Sequence, residues 1–111
     1  MHAFHISDLL AERSSTGRSY LEFLRVPALT LGVYHLHTGD TDRQQPHAED
    51  EVYYVVSGRA AFVAAGERRD VRPGDVLFVE KHVDHRFVDI TEDLTLLVFF
   101  APAEGSLRVS H

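Results

Sequence analysis

From Tyr20 to Phe100 the sequence is a succession of short β-forming runs broken by turn signals, and this pattern constrains the fold more than any other feature. The runs are Tyr20–Val26, Leu29–Leu36, residues 51–56, 60–64 and 68–71, Val76–Val79, and residues 85–90 and 94–100. Between them stand Pro27, Ser57-Gly58, Ala65-Gly66, Pro73-Gly74-Asp75 and Thr91-Glu92-Asp93. Pro27 cannot donate to a ladder, so it separates the first two runs. Pro73 presets φ and Gly74 accepts positive φ, the two central requirements of a type II turn. Eight such strands at nearly regular spacing predict an antiparallel sandwich or barrel. A short helix is expected only over residues 6–12, with Ser7 as cap, Asp8 in the first turn, and Leu9 and Leu10 facing inward. The division that follows is residues 1–19 as N-terminal helix and loop, 20–102 as the β-barrel, and 103–111 as a loosely held tail.

Composition narrows the function. A chain of 111 residues fits one domain. Its net charge of -6 argues against nucleic acid, whose phosphates demand a basic surface. The absence of cysteine excludes thiolate nucleophiles, thiolate metal sites and disulfides together, and a cytoplasmic location is expected. No apolar run approaches the roughly 18 residues of a membrane span. The start Met-His-Ala-Phe-His lacks the basic and apolar regions of a signal peptide. Neither a Gly-x-Ser-x-Gly elbow nor a glycine-rich phosphate loop occurs. The expected partner is therefore a small molecule, not nucleic acid or a membrane.

The chemistry concentrates between Gly39 and Gly58. Gln45, His47 and Glu51 all stand at odd positions ahead of the run 52–56, so in an extended chain they share one face. If that face points into a barrel, three metal-capable side chains converge, and His85 is the candidate for a fourth. Tyr53, Val55 and Ser57 share the parity of Glu51, and Phe87 and Asp89 that of His85, so these are expected to line the same cavity, with Tyr53 able to donate to a bound ligand. Phe62, Phe78, Leu96, Val98 and Phe100 are expected core. His35 and His37 form a further His-x-His on one strand face, where a second metal pair is geometrically available, but pocket mouth or surface is the preferred placement. His82 and Asp84 read as solvated.

The spacing Gly39, Gln45-Pro46-His47, Glu51, Gly58 resembles the first cupin motif, in which Gly precedes His-x-His, Glu and Gly. The segment from Pro73-Gly74 through His85 to Asp89 resembles the second, which runs Gly, Pro-x-Gly, His, Asn. Together they span about half the chain. The resemblance implies an all-β fold, a single jelly-roll-like cupin β-barrel with a short N-terminal helix. It also implies one divalent metal ion, iron preferred and manganese, nickel or zinc accepted, on Gln45, His47, Glu51 and His85. Gln45, Glu51 and Tyr53 would carry the catalytic roles. Gln45 replaces the motif's first histidine and offers only an amide oxygen; Glu80, His82 and Asp89 also depart from the second motif. The activity implied is a metal-dependent enzyme acting on a small organic substrate, with a non-haem Fe(II) dioxygenase preferred and a lyase or isomerase also open. The alternative is a non-enzymatic small-ligand or metal-binding module. A homodimer is also implied, with Tyr20–Val26, apolar on both parities, compatible with an interface.

Overall fold

The computed structural model describes residues 1–107. One helix, α1 (Ile6–Thr16), precedes six strands: β1 (Tyr20–Val26), β2 (Leu29–Leu36), β3 (Asp50–Ala64), β4 (Glu67–Val71), β5 (Val76–Val79) and β6 (His85–Ala101). All pairings are antiparallel, in the order β1-β2-β6-β3-β4 with β5 also on β3. The architecture is the expected all-β barrel with a short N-terminal helix. Among the described residues no helix is long and apolar enough to cross a membrane.

The helix runs one turn past the expected residue 12. Its cap is His5, whose ring Nδ1 accepts from Ser7 N, and Gly17 ends it at φ 72°. Beyond the expected end stand Ser15 and Thr16, whose hydroxyls bond back to the Glu12 and Arg13 carbonyls and so satisfy the last turn locally.

The expected turns at Ser57-Gly58 and at residues 91–93 are not turns. Each lies inside one long strand, so eight predicted strands become six. β3 pairs with β6 from Asp50↔Ala101 to Val55↔Leu96, loses register through Ser57 and Arg59, and resumes from Ala61↔Val88 to Ala64↔His85. These bulges bend both strands together, so one half of each serves each wall of the barrel. Gly58 makes the bend feasible: its φ is 97°, and a Cβ there would overlap the Asp93 carbonyl oxygen.

Between the walls lie Tyr53, Val55, Phe62, Phe87, Leu96 and Phe100, all buried. Phe62, Leu96, Val98 and Phe100 sit in the core as expected, but Phe78 is 62% exposed. Leu77 and Val79 take the inward side of β5, and strict alternation puts Phe78 outside. Residues 102–107 are held more firmly than a loose tail: Ala103 is buried, Ala103 N donates to the Pro27 carbonyl, and Glu104 N donates to Thr30 Oγ1. The remainder of the expected tail, residues 108–111, lies outside the described residues.

Candidate functional site

Glu51 and Tyr53 project inward from β3, and His85 does so from the first position of β6. Although these positions are far apart in the β3–β6 register, the bent sheet brings them face to face. His85 Nε2 lies 2.9 Å from Glu51 Oε1 and 3.0 Å from the Tyr53 hydroxyl. His85 Nδ1 is 2.9 Å from the Val83 carbonyl, which can only accept, so this nitrogen carries a proton and Nε2 is the one that faces Glu51. Burial alone would pull the His85 imidazolium down; the carboxylate of Glu51 close by and the hydrogen bond to the Val83 carbonyl outweigh it, and its pKa rises. Glu51 is 1% exposed, yet neither carboxylate oxygen has an aligned hydrogen-bond donor despite the short approach of His85.

Tyr53 extends this pair outward. Its hydroxyl donates to Gln44 Oε1 at 2.9 Å, and Gln44 Nε2 donates to Asp42 Oδ2 at 3.2 Å. Asp42 is itself buried and accepts from Tyr34 Oη at 2.8 Å and from Phe87 N at 2.9 Å. A continuous polar line thus runs Asp42, Gln44, Tyr53, His85, Glu51 through an otherwise apolar interior. Burial first, and then the Glu51 charge, hold the Tyr53 phenol far above its ordinary pKa, so it remains a proton donor.

His47 approaches from the segment between β2 and β3. Its ring stands edge-on to Phe100, with its centroid 6.2 Å from that of His85. His47 Nδ1 is 3.5 Å from Glu104 Oε2, which orients the other nitrogen elsewhere. His47, Gln44, Gln45, Tyr20, Tyr34 and Glu104 line a cavity of about 420 Å³. Glu51, Tyr53 and His85 are buried and form no part of its wall. Tyr20 is half-buried with its hydroxyl covered and unpartnered, and burial, then Glu104, raises its pKa.

The structure therefore brings Glu51, Tyr53 and His85 together, with His47 adjacent but not closed on them. Among the described residues, the trio whose donor atoms lie within 4.8 Å of one another is a different one, His35, His37 and Asp93. Gln45 is exposed at the cavity wall, and its neighbour Gln44 takes the interior place. Ser57 and Asp89 point outward, contrary to parity, because each sits at a bulge; Asp89 has φ 49° and pairs with Arg68. His82 and Asp84 are exposed, as expected. Sequence reasoning missed Asp42, Gln44, Tyr20 and Glu104. It also missed Glu49, a buried carboxylate that accepts from Gly105 N.

The donor set suits a divalent metal on two counts. Two imidazoles and a carboxylate are ligands that iron, manganese, nickel and zinc all accept. A buried carboxylate without an aligned donor, facing an imidazole whose other nitrogen is fixed by a carbonyl, is the arrangement that holds a metal-ligating histidine in its binding tautomer.

Comparison with known proteins agrees with this architecture. The family described as Cupin domain matches residues 32–100. That span covers more than half of the chain, which belongs to the cupin family. An uncharacterized protein of Streptomyces coelicolor is 48% identical over 105 residues, covering 95% of this chain and 100% of its own. A solved RmlC-like cupin from Shewanella frigidimarina is 25% identical with a TM-score of 0.71, over 80% of this chain and 79% of that one. The DMSP lyase DddQ from Ruegeria pomeroyi is similar in fold, with a TM-score of 0.66 and 23% identity over 77% of this chain. This chain spans only 42% of that enzyme's length.

Proposed function

We propose that this cupin is a metal-dependent enzyme acting on a small oxygen-bearing organic molecule. The observation that carries the proposal is Glu51: a fully buried carboxylate with no aligned hydrogen-bond donor, facing His85 Nε2. His47, Glu51 and His85 would hold the ion, His47 closing inward from its present place beside Phe100 and Glu104. Bound there, a divalent ion would supply Lewis-acid polarisation of a substrate oxygen and, as iron, would open a route to oxidation of a chelating substrate.

The protein's own groups define the rest. Tyr53, kept as a phenol, places its hydroxyl oxygen 3.0 Å from His85 Nε2, while its proton goes to Gln44 Oε1, which fixes the direction of the hydroxyl. Tyr20 and Arg43 line the cavity, and Arg43 brings a positive charge to its wall. Gln45, at the wall, orients the substrate or completes the metal's coordination. Val98 and Phe100 supply the apolar side that excludes water from a bound ligand.

Metal content of protein purified without chelator or histidine tag tests this. Near-stoichiometric divalent metal, lost in Glu51→Gln, is expected, and absence of binding even after reconstitution with Fe(II), Mn(II), Ni(II) and Zn(II) would remove the catalytic reading. If iron is found, substrate-dependent oxygen uptake with diketone-like and phenolic compounds is the assay for the preferred dioxygenase chemistry. One observation favours a second reading, a non-enzymatic binding module: Gln45, where the family motif has a histidine, is exposed. Metal binding with ligand uptake but no turnover across such a panel would favour it. Homodimerisation through β1 belongs to the same proposal, and a monomer by light scattering would exclude it.

A further inference from the structure

The outer face of the β2–β6 pair carries a second cluster. The ladder pairs His35 with Thr95 and Leu36 with Leu94, so the next step of the same register sets Asp93 opposite His37. Alternation sends Leu36 and Leu94 into the core and places His35, His37, Asp93 and Thr95 together on the other side. The two imidazole rings stand nearly perpendicular, with centroids 4.9 Å apart. His37 Nδ1 lies 3.6 Å from Asp93 Oδ2, and one donor atom from each of the three residues falls within 4.8 Å of the others.

The contacts around this trio orient it. Thr95 Oγ1 is 3.0 Å from His35 Nδ1, and the tautomer that donates to this hydroxyl leaves its lone pair on Nε2. Asp93 Oδ1 accepts from both Thr38 N and Thr38 Oγ1, at 2.8 and 3.0 Å, which turns Oδ2 toward His37. The His37 backbone is held in turn by Asp40 Oδ2 at 2.7 Å. Hydrogen bonds of this kind fix the orientation and tautomer of metal ligands in known sites.

We propose that His35, His37 and Asp93 bind a zinc-like divalent ion on the outside of the barrel, independently of the buried pair of Glu51 and His85. Two imidazoles and one carboxylate, completed by water, suit tetrahedral Zn(II), with bonds of about 2.0–2.2 Å. The His37 and Asp93 side chains are 66% and 56% exposed, so solvent and an ion can reach them. The ion would clip the end of β2 to the bend of β6, at the root of the segment that carries Asp42, Gln44 and His47.

The test titrates Zn(II) into metal-stripped full-length protein carrying Glu51→Gln, which disables the buried cluster, and reads heat by calorimetry and histidine ring resonances by NMR. One equivalent is expected to bind, moving the His35 and His37 signals. His37→Ala and Asp93→Asn should each weaken it at least tenfold, and Thr95→Val about tenfold, with Thr95→Ser retaining affinity. In the otherwise wild-type chain, His37→Ala should remove this equivalent and leave any metal on the buried cluster in place. No binding, or binding that is unchanged by His37→Ala and Asp93→Asn, overturns the proposal.

Discussion

Replacing Glu51 by glutamine should stabilise the metal-free protein at pH 8 and destabilise it at pH 5.5. Glu51 and His85 are 1% and 3% exposed, so both are removed from water, and Glu51 lacks aligned donors. A buried ion that is imperfectly compensated costs several kcal/mol, and a neutral amide of the same shape relieves it. We expect a gain of about 2 kcal/mol at pH 8, equivalent to roughly 10 °C in Tm for a domain of this size. The pH dependence follows from His85. Its pKa is raised in the fold above the ordinary 6.5, so the stability it contributes is fully present below 6.5 and is lost as pH rises through the folded value. At pH 5.5 the imidazolium faces the carboxylate, and the substitution then breaks a buried pair. Differential scanning calorimetry of chelator-stripped protein at both pH values is the assay. Added metal should reverse the order at pH 8, because a ligand at 100 times its Kd adds about 2.7 kcal/mol to a protein that binds it. A metal-free variant that is less stable than wild type at pH 8 would show that Glu51 supports the fold, and the inference from its missing partners would fail.

Three further substitutions probe the surroundings. Tyr53→Phe removes the hydroxyl between Gln44 and His85 and should cost about 1–2 kcal/mol in denaturant unfolding; its metal affinity should fall by about tenfold if the phenol orients His85. Asp42→Ala strands the Tyr34 hydroxyl and Phe87 N–H and should cost about 3 kcal/mol, with limited proteolysis cutting newly within residues 37–49. Gly58→Ala combines positive φ with overlap on the Asp93 carbonyl, and a loss of about 3 kcal/mol or more is expected from thermal unfolding. A loss under 1 kcal/mol there would mean that the bend is not tightly specified.

The barrel was legible because alternation and turn residues are local signals, and the strands at 20–26, 29–36 and 76–79 appear with their expected bounds. Gly58 shows where such reading stops. Glycine marks a turn and a bulge alike, and the choice is made by β6 lying alongside, which no neighbour in sequence reveals. Parity beyond the bulge then reverses, which is why Ser57 and Asp89 left the cavity. The site was half legible for a related reason. His85, Glu51 and Tyr53 lie on strands, where spacing fixes direction, and the fold joins them. Gln44 and Gln45 lie in an irregular segment, where adjacent residues carry no face. Asp42 is one acid among many until Tyr34 and Phe87, from two other strands, give it donors.

If the proposed metal site is right, the tethering of residues 37–49 indicates which ligand would move. Their root is bound through Thr38 to Asp93 and through Gly39 N to the Ile90 carbonyl, and their middle through Asp42 to Tyr34 and Phe87. At the far end the His47 carbonyl accepts from His82 N at 2.7 Å, so the backbone there is fixed as well. The His47 side chain is held instead by the longer 3.5 Å approach to Glu104 and by an edge contact with Phe100. Under the proposed function, closure on an ion shared with Glu51 and His85 would be a rotation of one imidazole on a fixed backbone. Glu104, supplied by the segment after β6 and 3.5 Å from His47 Nδ1, would then either follow His47 inward or release it. On that reading residues 102–107, outside both family motifs, would belong to the site's mechanics.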